Sequence, residues 1–206
     1  MSKIDEYGID ELGRPCKDLY FMNLCFEIAR RSIDPTTKHG CIAVDKDGGI
    51  LSTGYNSAPQ GYIDKEFPLT RPEKYVDMVH SEPNCIYIAA RHSVSVTGST
   101  FYITGFPCRE CLKAMIQVQV GKIIYGPYGS AMIDSEEFIE GIKVLLKGQD
   151  IIIKRFGYDE GLYRFNPRVG EIMRNREIGN TNFEWNSKYQ CGNCTATYID
   201  HFDLKK

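Results

Sequence analysis

Two short motifs place the strongest constraint on the fold, because their side chains can act together only if the fold brings them side by side. His80-Ser81-Glu82 lies near the middle of the chain, and Pro107-Cys108-Arg109-Glu110-Cys111 follows it. Zinc in proteins prefers imidazole and thiolate ligands, and three protein ligands leave one tetrahedral position open for water. The sequence therefore predicts a catalytic zinc site built by His80, Cys108 and Cys111.

Glu82 is predicted to be the general acid and base of this site rather than a ligand. Zinc lowers the pKa of a bound water to about 7, and a carboxylate two residues from the histidine is placed to move the water proton to a substrate ring and then to leaving ammonia. Taken singly the parts are ambiguous, since a C-x-x-C pair also serves in redox chemistry and one histidine is often a core or surface residue. Together they form the established H-x-E…P-C-x-x-C signature of zinc nucleobase deaminases.

Length and charge narrow the class of protein further. The chain has 206 residues, which suits one domain with appendages; we divide it into an N-terminal arm (1–16), a deaminase domain (17–156) and a C-terminal extension (157–206) that packs on the core or on a neighbouring subunit. The net charge of -2 and the pI near 6.1 disfavour a strong grip on nucleic acid, which needs a basic face. A small nucleotide is therefore the better substrate candidate.

The eight cysteines raise the question of disulfides. The segment Met1-Ser2-Lys3-Ile4-Asp5-Glu6 has no apolar signal region, and no apolar run approaches the length that spans a membrane. We expect a cytoplasmic protein without membrane contact, whose cysteines are reduced thiols or metal ligands. Cys25 and Cys85 fall on apolar helix faces, which predicts core packing.

A second pair, Cys191-Gly192-Asn193-Cys194, lies near the C-terminus with His201 after it. The two cysteines form half of a possible structural zinc site, which needs four ligands to close and could be joined by His201 or Cys16. Two ordinary cysteines around a turn glycine are the alternative, and the sequence favours that alternative because no further C-x-x-C pair remains.

Apolar periodicity predicts the element order α-β-β-α-β-α-β-α-β. The predicted helices are 18–32, 82–91, 108–118 and 134–148, and the predicted strands are 41–45, 50–55, 101–104, 122–125 and 151–153. Residues 56–79 carry prolines, glycines and charges without a period, which predicts a long functional loop. Strands separated by helices imply parallel pairs, so we expect an α/β fold, a three-layer α/β/α sandwich with a five-stranded mixed sheet, in which both zinc motifs begin helices.

Further motifs within residues 19–156 resemble the deoxycytidylate (dCMP) deaminase branch of the zinc-dependent cytidine/deoxycytidylate deaminase superfamily. Gly54-Tyr55-Asn56-Ser57-Ala58-Pro59-Gln60-Gly61 is similar to the Gly-Tyr-Asn-Gly-x-Pro-x-Gly loop of that branch. Asn84 matches its His-Ala-Glu-x-Asn motif, and Phe106-Pro107-Cys108 also occurs in it. The sequence departs from the branch at Ser81, where alanine is usual, and at Lys38-His39-Gly40-Cys41, where Lys-Val-Gly-Ala is more common.

The resemblance implies the activity and the roles of the site residues. It implies hydrolysis of dCMP to dUMP with release of ammonia, with zinc on His80, Cys108 and Cys111 and with Glu82 as the acid/base. The residues that it implies for substrate binding are Asn56 at the sugar, Tyr128 at the base or phosphate, and Ala58, Ser81, Asn84 and Pro107. The residues that it implies for regulation or subunit contacts are Gly54, Tyr55, Gly61 and Arg91.

The resemblance also implies partners and regulation. Members of the branch are homo-oligomers, so we expect a hexamer or dimer, activation by dCTP, inhibition by dTTP and Mg2+ on the effector triphosphate. Three alternatives stay open: a deaminase of a modified or triphosphate cytosine nucleotide, a polynucleotide cytosine or adenosine editor, and a non-catalytic module that retains the fold. The slightly negative net charge disfavours the polynucleotide editor. The complete zinc-ligand and glutamate motifs disfavour the non-catalytic module.

Overall fold

The computed structural model describes residues 3–70, 72–128, 135–158, 161, 162 and 166. Five helices and five strands are present in this part of the chain, together with a 3-10 turn at Asp64–Glu66. In chain order they are α1 (Lys17–Ala29), β1 (Gly40–Val44), β2 (Ile50–Tyr55), α2 (Glu73–Asp77), α3 (Ser81–Arg91), β3 (Thr100–Gly105), α4 (Arg109–Gln117), β4 (Lys122–Tyr128), α5 (Glu136–Leu146) and β5 (Ile152–Arg155).

The five strands form one mixed sheet, as the sequence predicts, and their order in the sheet is β2-β1-β3-β4-β5. β1 pairs antiparallel with both β2 and β3, whereas the β3–β4 and β4–β5 pairs are parallel. The connection between β2 and β3, which contains α2 and α3, therefore joins strands that run the same way on either side of β1 and do not pair with each other. The other two helical connections join paired parallel strands, as expected for β-α-β units.

Helices cover both faces of the sheet and give the predicted three layers. Alternate residues of a strand point to opposite faces, and on β1 Cys41 and Ala43 join the cluster under α3, α4 and α5. Ile42 and Val44 join the cluster under α1 on the other face. Cys25 and Cys85 are fully buried in these two clusters, which confirms their predicted packing role.

Helix α3 lies unusually close to β2, and a glycine makes this approach possible. A Cβ atom at Gly54 would overlap the carbonyl oxygen of Ser81 and the amide nitrogen of Cys85. The first turn of α3 therefore rests directly on the backbone of β2. This contact fixes the position of the first turn of α3 in space. It therefore also fixes the position of the residue that precedes this helix.

The structure differs from two local predictions. Residues 56–79 are not irregular throughout, because they contain the Asp64–Glu66 turn and α2, which is too short to show a helical period in sequence. The last predicted helix spans residues 134–148, whereas α5 spans Glu136–Leu146 and Ser135 caps it. Its hydroxyl accepts a 3.2 Å hydrogen bond from the amide of Phe138, three residues on.

The described part of the N-terminal arm is folded against the core. Asp5 and Asp10 each accept hydrogen bonds from backbone amides two and four residues on, and Ile9 and Cys16 pack on the α1 cluster. Tyr158 and Leu162 of the C-terminal extension are buried in the same cluster. Among the helices of the described residues, none has the length and apolar character that crossing a membrane requires.

Candidate active site

The site forms where α3 and α4 begin, at the same edge of the sheet. His80 is the residue before α3 and Cys108 the residue before α4, and both have extended backbones. Cys111 lies in the first turn of α4 and is buried. The first-turn amides of a helix have no partner within it and carry partial positive charge. The amide of Cys111 donates a 3.5 Å hydrogen bond to the Cys108 sulfur, which stabilises a thiolate there.

The structure brings the three predicted ligands together. The ligand atoms of His80, Cys108 and Cys111 lie within 4.8 Å of one another, and no other group of three such side chains occurs among the described residues. The two sulfur atoms are 3.4 Å apart, and Nδ1 of His80 is 3.6 Å from Cys108 Sγ and 3.3 Å from Cys111 Sγ. Nδ1 is therefore the ring nitrogen that faces both sulfurs.

These three donors fit zinc. A tetrahedral ion with Zn–S distances of about 2.3 Å and Zn–N distances of about 2.0–2.1 Å needs donor atoms about 3.5–3.8 Å apart. The observed separations of 3.3, 3.4 and 3.6 Å are close to that spacing. A set of one nitrogen and two sulfur donors also binds zinc in preference to hard cations such as Mg2+. The geometry supports a zinc site with three protein ligands.

Protonation of the three donors is strongly linked. A hydrogen bond between the two sulfurs, together with the His80 ring, lowers the pKa of Cys108 to about 4. The same bond to Cys108, with burial, raises the pKa of Cys111. The bond to Cys108 also raises the pKa of His80, against the opposing effect of burial. The Cys108 thiolate thus shares protons with its two neighbours, and a divalent cation binds such a group by displacing those protons.

Glu82 lies in α3 with its carboxyl group buried beside the three donors. Burial raises the pKa of Glu82, because removing water penalises the charged form. The hydroxyl of Ser81 opposes this by donating a 2.9 Å hydrogen bond to Oε2 of Glu82. A buried carboxyl group with a raised pKa is suited to accept and return a proton near neutral pH.

Asn56, the predicted sugar contact, follows β2 and is buried. Its Oδ1 accepts a 2.7 Å hydrogen bond from the amide of His39, and its Nδ2 donates a 2.8 Å bond to the carbonyl oxygen of Thr37. Nδ1 of His39 lies 3.0 Å from the hydroxyl oxygen of Thr104. The two bonds use half of the hydrogen-bonding capacity of the Asn56 amide, so the other half can serve a ligand.

Asn84 and Ala58, also predicted to bind substrate, support the loop after β2. Nδ2 of Asn84 donates hydrogen bonds of 2.8 Å to the Tyr55 carbonyl oxygen and 2.9 Å to the Ser57 hydroxyl. Ala58 packs with Phe67 and Met78 in a small separate cluster. Their contacts in the structure are therefore contacts within the protein that hold the loop beside α3.

Two further predicted substrate residues lie on the connections that lead into the site. Pro107 is buried between β3 and α4, immediately before Cys108. Tyr128 is the last residue of β4, in register with Gly105, and its side chain lies outside the described part of the chain. The ends of β3 and β4 thus meet at the edge of the sheet that carries the site.

The four residues predicted for regulation or subunit contacts occupy different environments. Gly54 is buried against α3, where it permits the close approach described above. The Tyr55 carbonyl oxygen accepts the bond from Asn84, whereas Gly61 is exposed with a φ of +90°. Arg91, at the exposed end of α3, lies 3.5 Å from the side-chain oxygen of Gln60. The possible second metal site, Cys191, Cys194 and His201, lies outside the described residues.

Several residues near the site were missed by sequence reasoning. The hydroxyl of Ser57 accepts a hydrogen bond from Asn84, and the hydroxyl of Thr104 accepts one from the amide of Gly40 and is hydrogen-bonded to the ring of His39. Asp34 and Lys74 form a buried ion pair beneath the loop. Asp34 is part of the Asp34-Pro35-Thr36-Thr37 segment, whose aspartate-led turn is a sequence signal. Lys74 has no such signal, because a single lysine in a polar loop is expected to be exposed.

Comparison with known proteins points to one family of enzymes. A profile of the cytidine and deoxycytidylate deaminase zinc-binding region matches residues 15–127. The deoxycytidylate deaminase of Mus musculus is 32% identical over 143 residues, which cover 66% of this chain and 78% of the mouse protein. The human enzyme of the same name is 35% identical over 112 residues. The alignments cover 58% of a probable deoxycytidylate deaminase of Drosophila melanogaster and 62% of the human protein, so this chain spans about three fifths of their length.

Solved structures share the fold. The dCMP deaminase of the cyanophage S-TIM5, determined with dCMP and dUMP, superposes with a TM-score of 0.51 at 26% identity, over 66% of this chain and 94% of that one. The bifunctional diaminohydroxyphosphoribosylaminopyrimidine deaminase/reductase of Thermotoga maritima superposes with a TM-score of 0.51 at 18% identity, over 42% of its chain. The second similarity concerns the fold alone.

Proposed function

The chain belongs to the family defined by the zinc-binding region of cytidine and deoxycytidylate deaminases, and we propose that it hydrolyses dCMP to dUMP with release of ammonia. The observation that carries this proposal is the buried carboxyl group of Glu82 beside the clustered donor atoms of His80, Cys108 and Cys111. The choice of dCMP among cytosine compounds is supported by the relatives named deoxycytidylate deaminase and by the phage enzyme bound to dCMP and dUMP.

The side chains would divide the chemistry among them. His80, Cys108 and Cys111 would hold zinc, which when bound supplies a Lewis acid and lowers the pKa of water. Glu82 would accept one proton of the attacking water at its carboxylate and deliver it to N3 of the cytosine ring. It would then accept the second proton of that water and give it to the departing amino group, which leaves as ammonia. Ser81 holds one carboxylate oxygen of Glu82 through its hydroxyl. The reaction consumes one water and releases one ammonia for each dCMP.

Substrate placement is assigned to the loop after β2 and the strand ends. We place Asn56 at the sugar, because its amide retains hydrogen-bonding capacity beyond its two backbone bonds. Asn84 holds this loop through its bonds to Tyr55 and Ser57, Ala58 packs within the loop, and Pro107 leads into α4. Tyr128 is proposed for the base or phosphate from its position at the end of β4.

Ammonia release from a panel of substrates tests the proposal. The zinc-loaded protein is incubated with dCMP, dCTP, 5-methyl-dCMP, cytidine and a cytosine oligonucleotide, with Glu82→Gln as the inactive variant. Turnover of dCMP that is lost in Glu82→Gln is the expected result. Turnover of the oligonucleotide alone would instead establish an editor, and no turnover of any compound by protein that contains zinc would overturn the proposal.

The regulatory and assembly expectations belong to the same proposal. We also propose activation by dCTP, inhibition by dTTP, Mg2+ on the effector and a homo-oligomer, which the resemblance to the dCMP deaminase branch implies. A role of Arg91 at a subunit contact is proposed with them, and its position at an exposed helix end is compatible with that role. Light scattering of the purified protein with and without dCTP and Mg2+ measures the assembly, and the ammonia assay with each effector measures the regulation. A cytoplasmic location stays a prediction.

A further inference from the structure

The ion pair between Asp34 and Lys74 is buried outside the zinc site. Nζ of Lys74 lies 2.9 Å from Oδ2 of Asp34, and both side chains are 3% exposed. The same Nζ donates hydrogen bonds to Oδ1 of Asp34 and to the hydroxyl of Thr36, at 3.1 and 3.0 Å. A lysine this deeply buried is rare in proteins. Replacing a buried ion pair by apolar side chains is often neutral or stabilising, so stability alone does not explain this pair.

On one side the pair fixes the segment that holds Asn56. Oδ1 of Asp34 accepts hydrogen bonds from the amides of Thr36 and Thr37, at 2.8 and 3.0 Å. The carbonyl oxygen of Thr37 accepts the 2.8 Å bond from Asn56, and the amide of His39 bonds the other end of the Asn56 side chain. Asn56 is thus held by a turn whose conformation depends on the Asp34 carboxylate.

On the other side the pair fixes the approach to the first zinc ligand. Lys74 lies in α2, five residues before Val79. Val79 and Ser57 exchange two backbone hydrogen bonds of 2.9 and 3.0 Å, and His80 follows directly. The loop 56–79 is therefore closed at its ends by this bridge and anchored in between by Lys74. The two ends that meet at the bridge lead to Asn56 in one direction and to His80 in the other.

We propose that the Asp34–Lys74 ion pair is a positioning element that sets the place of Asn56 relative to His80, and so the place of the substrate sugar relative to the metal. This inference rests on the proposed function. It assigns no contact with substrate to either residue. Its consequence is selective: loss of the pair should weaken recognition of the nucleotide and leave the zinc ligands and Glu82 able to work.

Steady-state deamination by two variants tests this role. Lys74→Met leaves a buried carboxylate without its cation and is expected to unfold readily, so the double variant Asp34→Asn/Lys74→Met is the main test. Asparagine at position 34 keeps the acceptor for Thr36 and Thr37, and the pair as a whole becomes neutral. Lys65→Met is the matched control, because Lys65 is exposed on the same loop.

The double variant should bind zinc as the wild type does and keep kcat within about twofold, while its KM for dCMP rises by about tenfold or more, since small misplacement of a positioning group costs up to about a hundredfold. Discrimination between dCMP and CMP should fall in parallel. Lys65→Met should match the wild type. An unchanged KM and unchanged discrimination in a double variant that holds zinc and melts cooperatively would overturn the positioning role.

Hydrogen exchange separates this inference from the proposed function. The amides of His39, Ser57 and Val79 should exchange faster in the double variant than in the wild type, whereas the amide of Ile103 in the sheet core should not change. If wild-type protein fails to deaminate dCMP, the proposed function falls, and these exchange rates still decide the positioning role. Unaltered exchange at all three amides would reject it.

Discussion

The hydroxyl of Ser81 donates a hydrogen bond of 2.9 Å to Oε2 of Glu82, so the carboxyl group proposed to move the proton is held by the preceding residue of the chain. Ser81 is buried, as is Glu82. A side chain held in this way is oriented before substrate binds. Such orientation contributes most to catalysis when bulk water is excluded from the site.

Ser81→Ala should lower kcat for dCMP by about tenfold or more, because a hydrogen bond to a charged group contributes about 1.5 kcal/mol or more and about 1.4 kcal/mol is tenfold in rate. KM and zinc content should stay within about twofold of the wild type. Ser99→Ala is the control, since Ser99 is also buried and hydrogen-bonded but lies at the start of β3, away from the site. An equal loss of kcat in both variants would contradict the orienting role of Ser81.

Removal of the metal ligands should abolish zinc binding and activity together. Cys108→Ser and Cys111→Ser are each expected to reduce zinc to well below one ion per chain, measured by atomic emission after dialysis, because a hydroxyl is a poor replacement for a thiolate on zinc. Cys16→Ser should retain its zinc, since Cys16 packs on the α1 cluster. Full zinc content in either site variant would show that another set of ligands holds the ion.

Gly54→Ala should destabilise the protein, because its Cβ would overlap backbone atoms of Ser81 and Cys85. Neither set of atoms belongs to a flexible side chain, so α3 has to shift, and such overpacking costs about 1–3 kcal/mol. Urea unfolding measures the change in the free energy of unfolding. The same shift moves His80, so zinc affinity should fall as well, whereas Thr53→Ala, at the half-buried neighbouring position, should leave that affinity unchanged.

The free energy of unfolding should decrease in acid, partly because the carboxyl group of Asp34 becomes protonated. Burial raises the pKa of this carboxyl group, but the bonds from Lys74 and from the amides of Thr36 and Thr37 outweigh burial and lower it below its usual value. A carboxyl group with a lowered pKa contributes stability above its unfolded pKa of about 3.9, and that contribution disappears as the pH falls through the lower folded value.

Urea unfolding of the wild type and Asp34→Asn between pH 7 and pH 3 measures this contribution. The difference in free energy of unfolding should be largest near neutral pH and should shrink below about pH 4. Asp64→Asn, at an exposed position on the 3-10 turn, serves as the control. A difference that grows on acidification would mean that the folded protein raises the pKa of Asp34.

The sequence predicts most of the fold because the periodic elements are long enough to be read. The strands of the sheet and helices α1, α3, α4 and α5 show apolar periodicity or motif boundaries, and the structure has all of them. α2 has no such signal, since five residues make little more than one turn. The sequence also does not predict the antiparallel pairing of β1 with β3, because helical connections fix the direction of a strand but not its neighbours.

Sequence reasoning likewise predicts some residues of the candidate site and misses others. His80, Glu82, Cys108 and Cys111 belong to motifs of fixed spacing, so sequence reasoning could name them as a group. Asn84 and Asn56 are recognisable only by resemblance, and their contacts with Tyr55, Thr37 and the backbone of neighbouring loops appear only in three dimensions. Lys74 could not be found at all, because its partner lies 40 residues earlier in the chain.

The first turns of two helices bring three donor atoms together, and this arrangement also affects the lifetime of the folded protein. Binding of metal to ligands that only the folded chain assembles adds directly to the free energy of folding. A chain that loses zinc would therefore lose the proposed activity and part of its resistance to unfolding in one step, and unfolded chains are the ones that proteases remove. Zinc supply would then set the abundance of this protein as well as its rate of turnover.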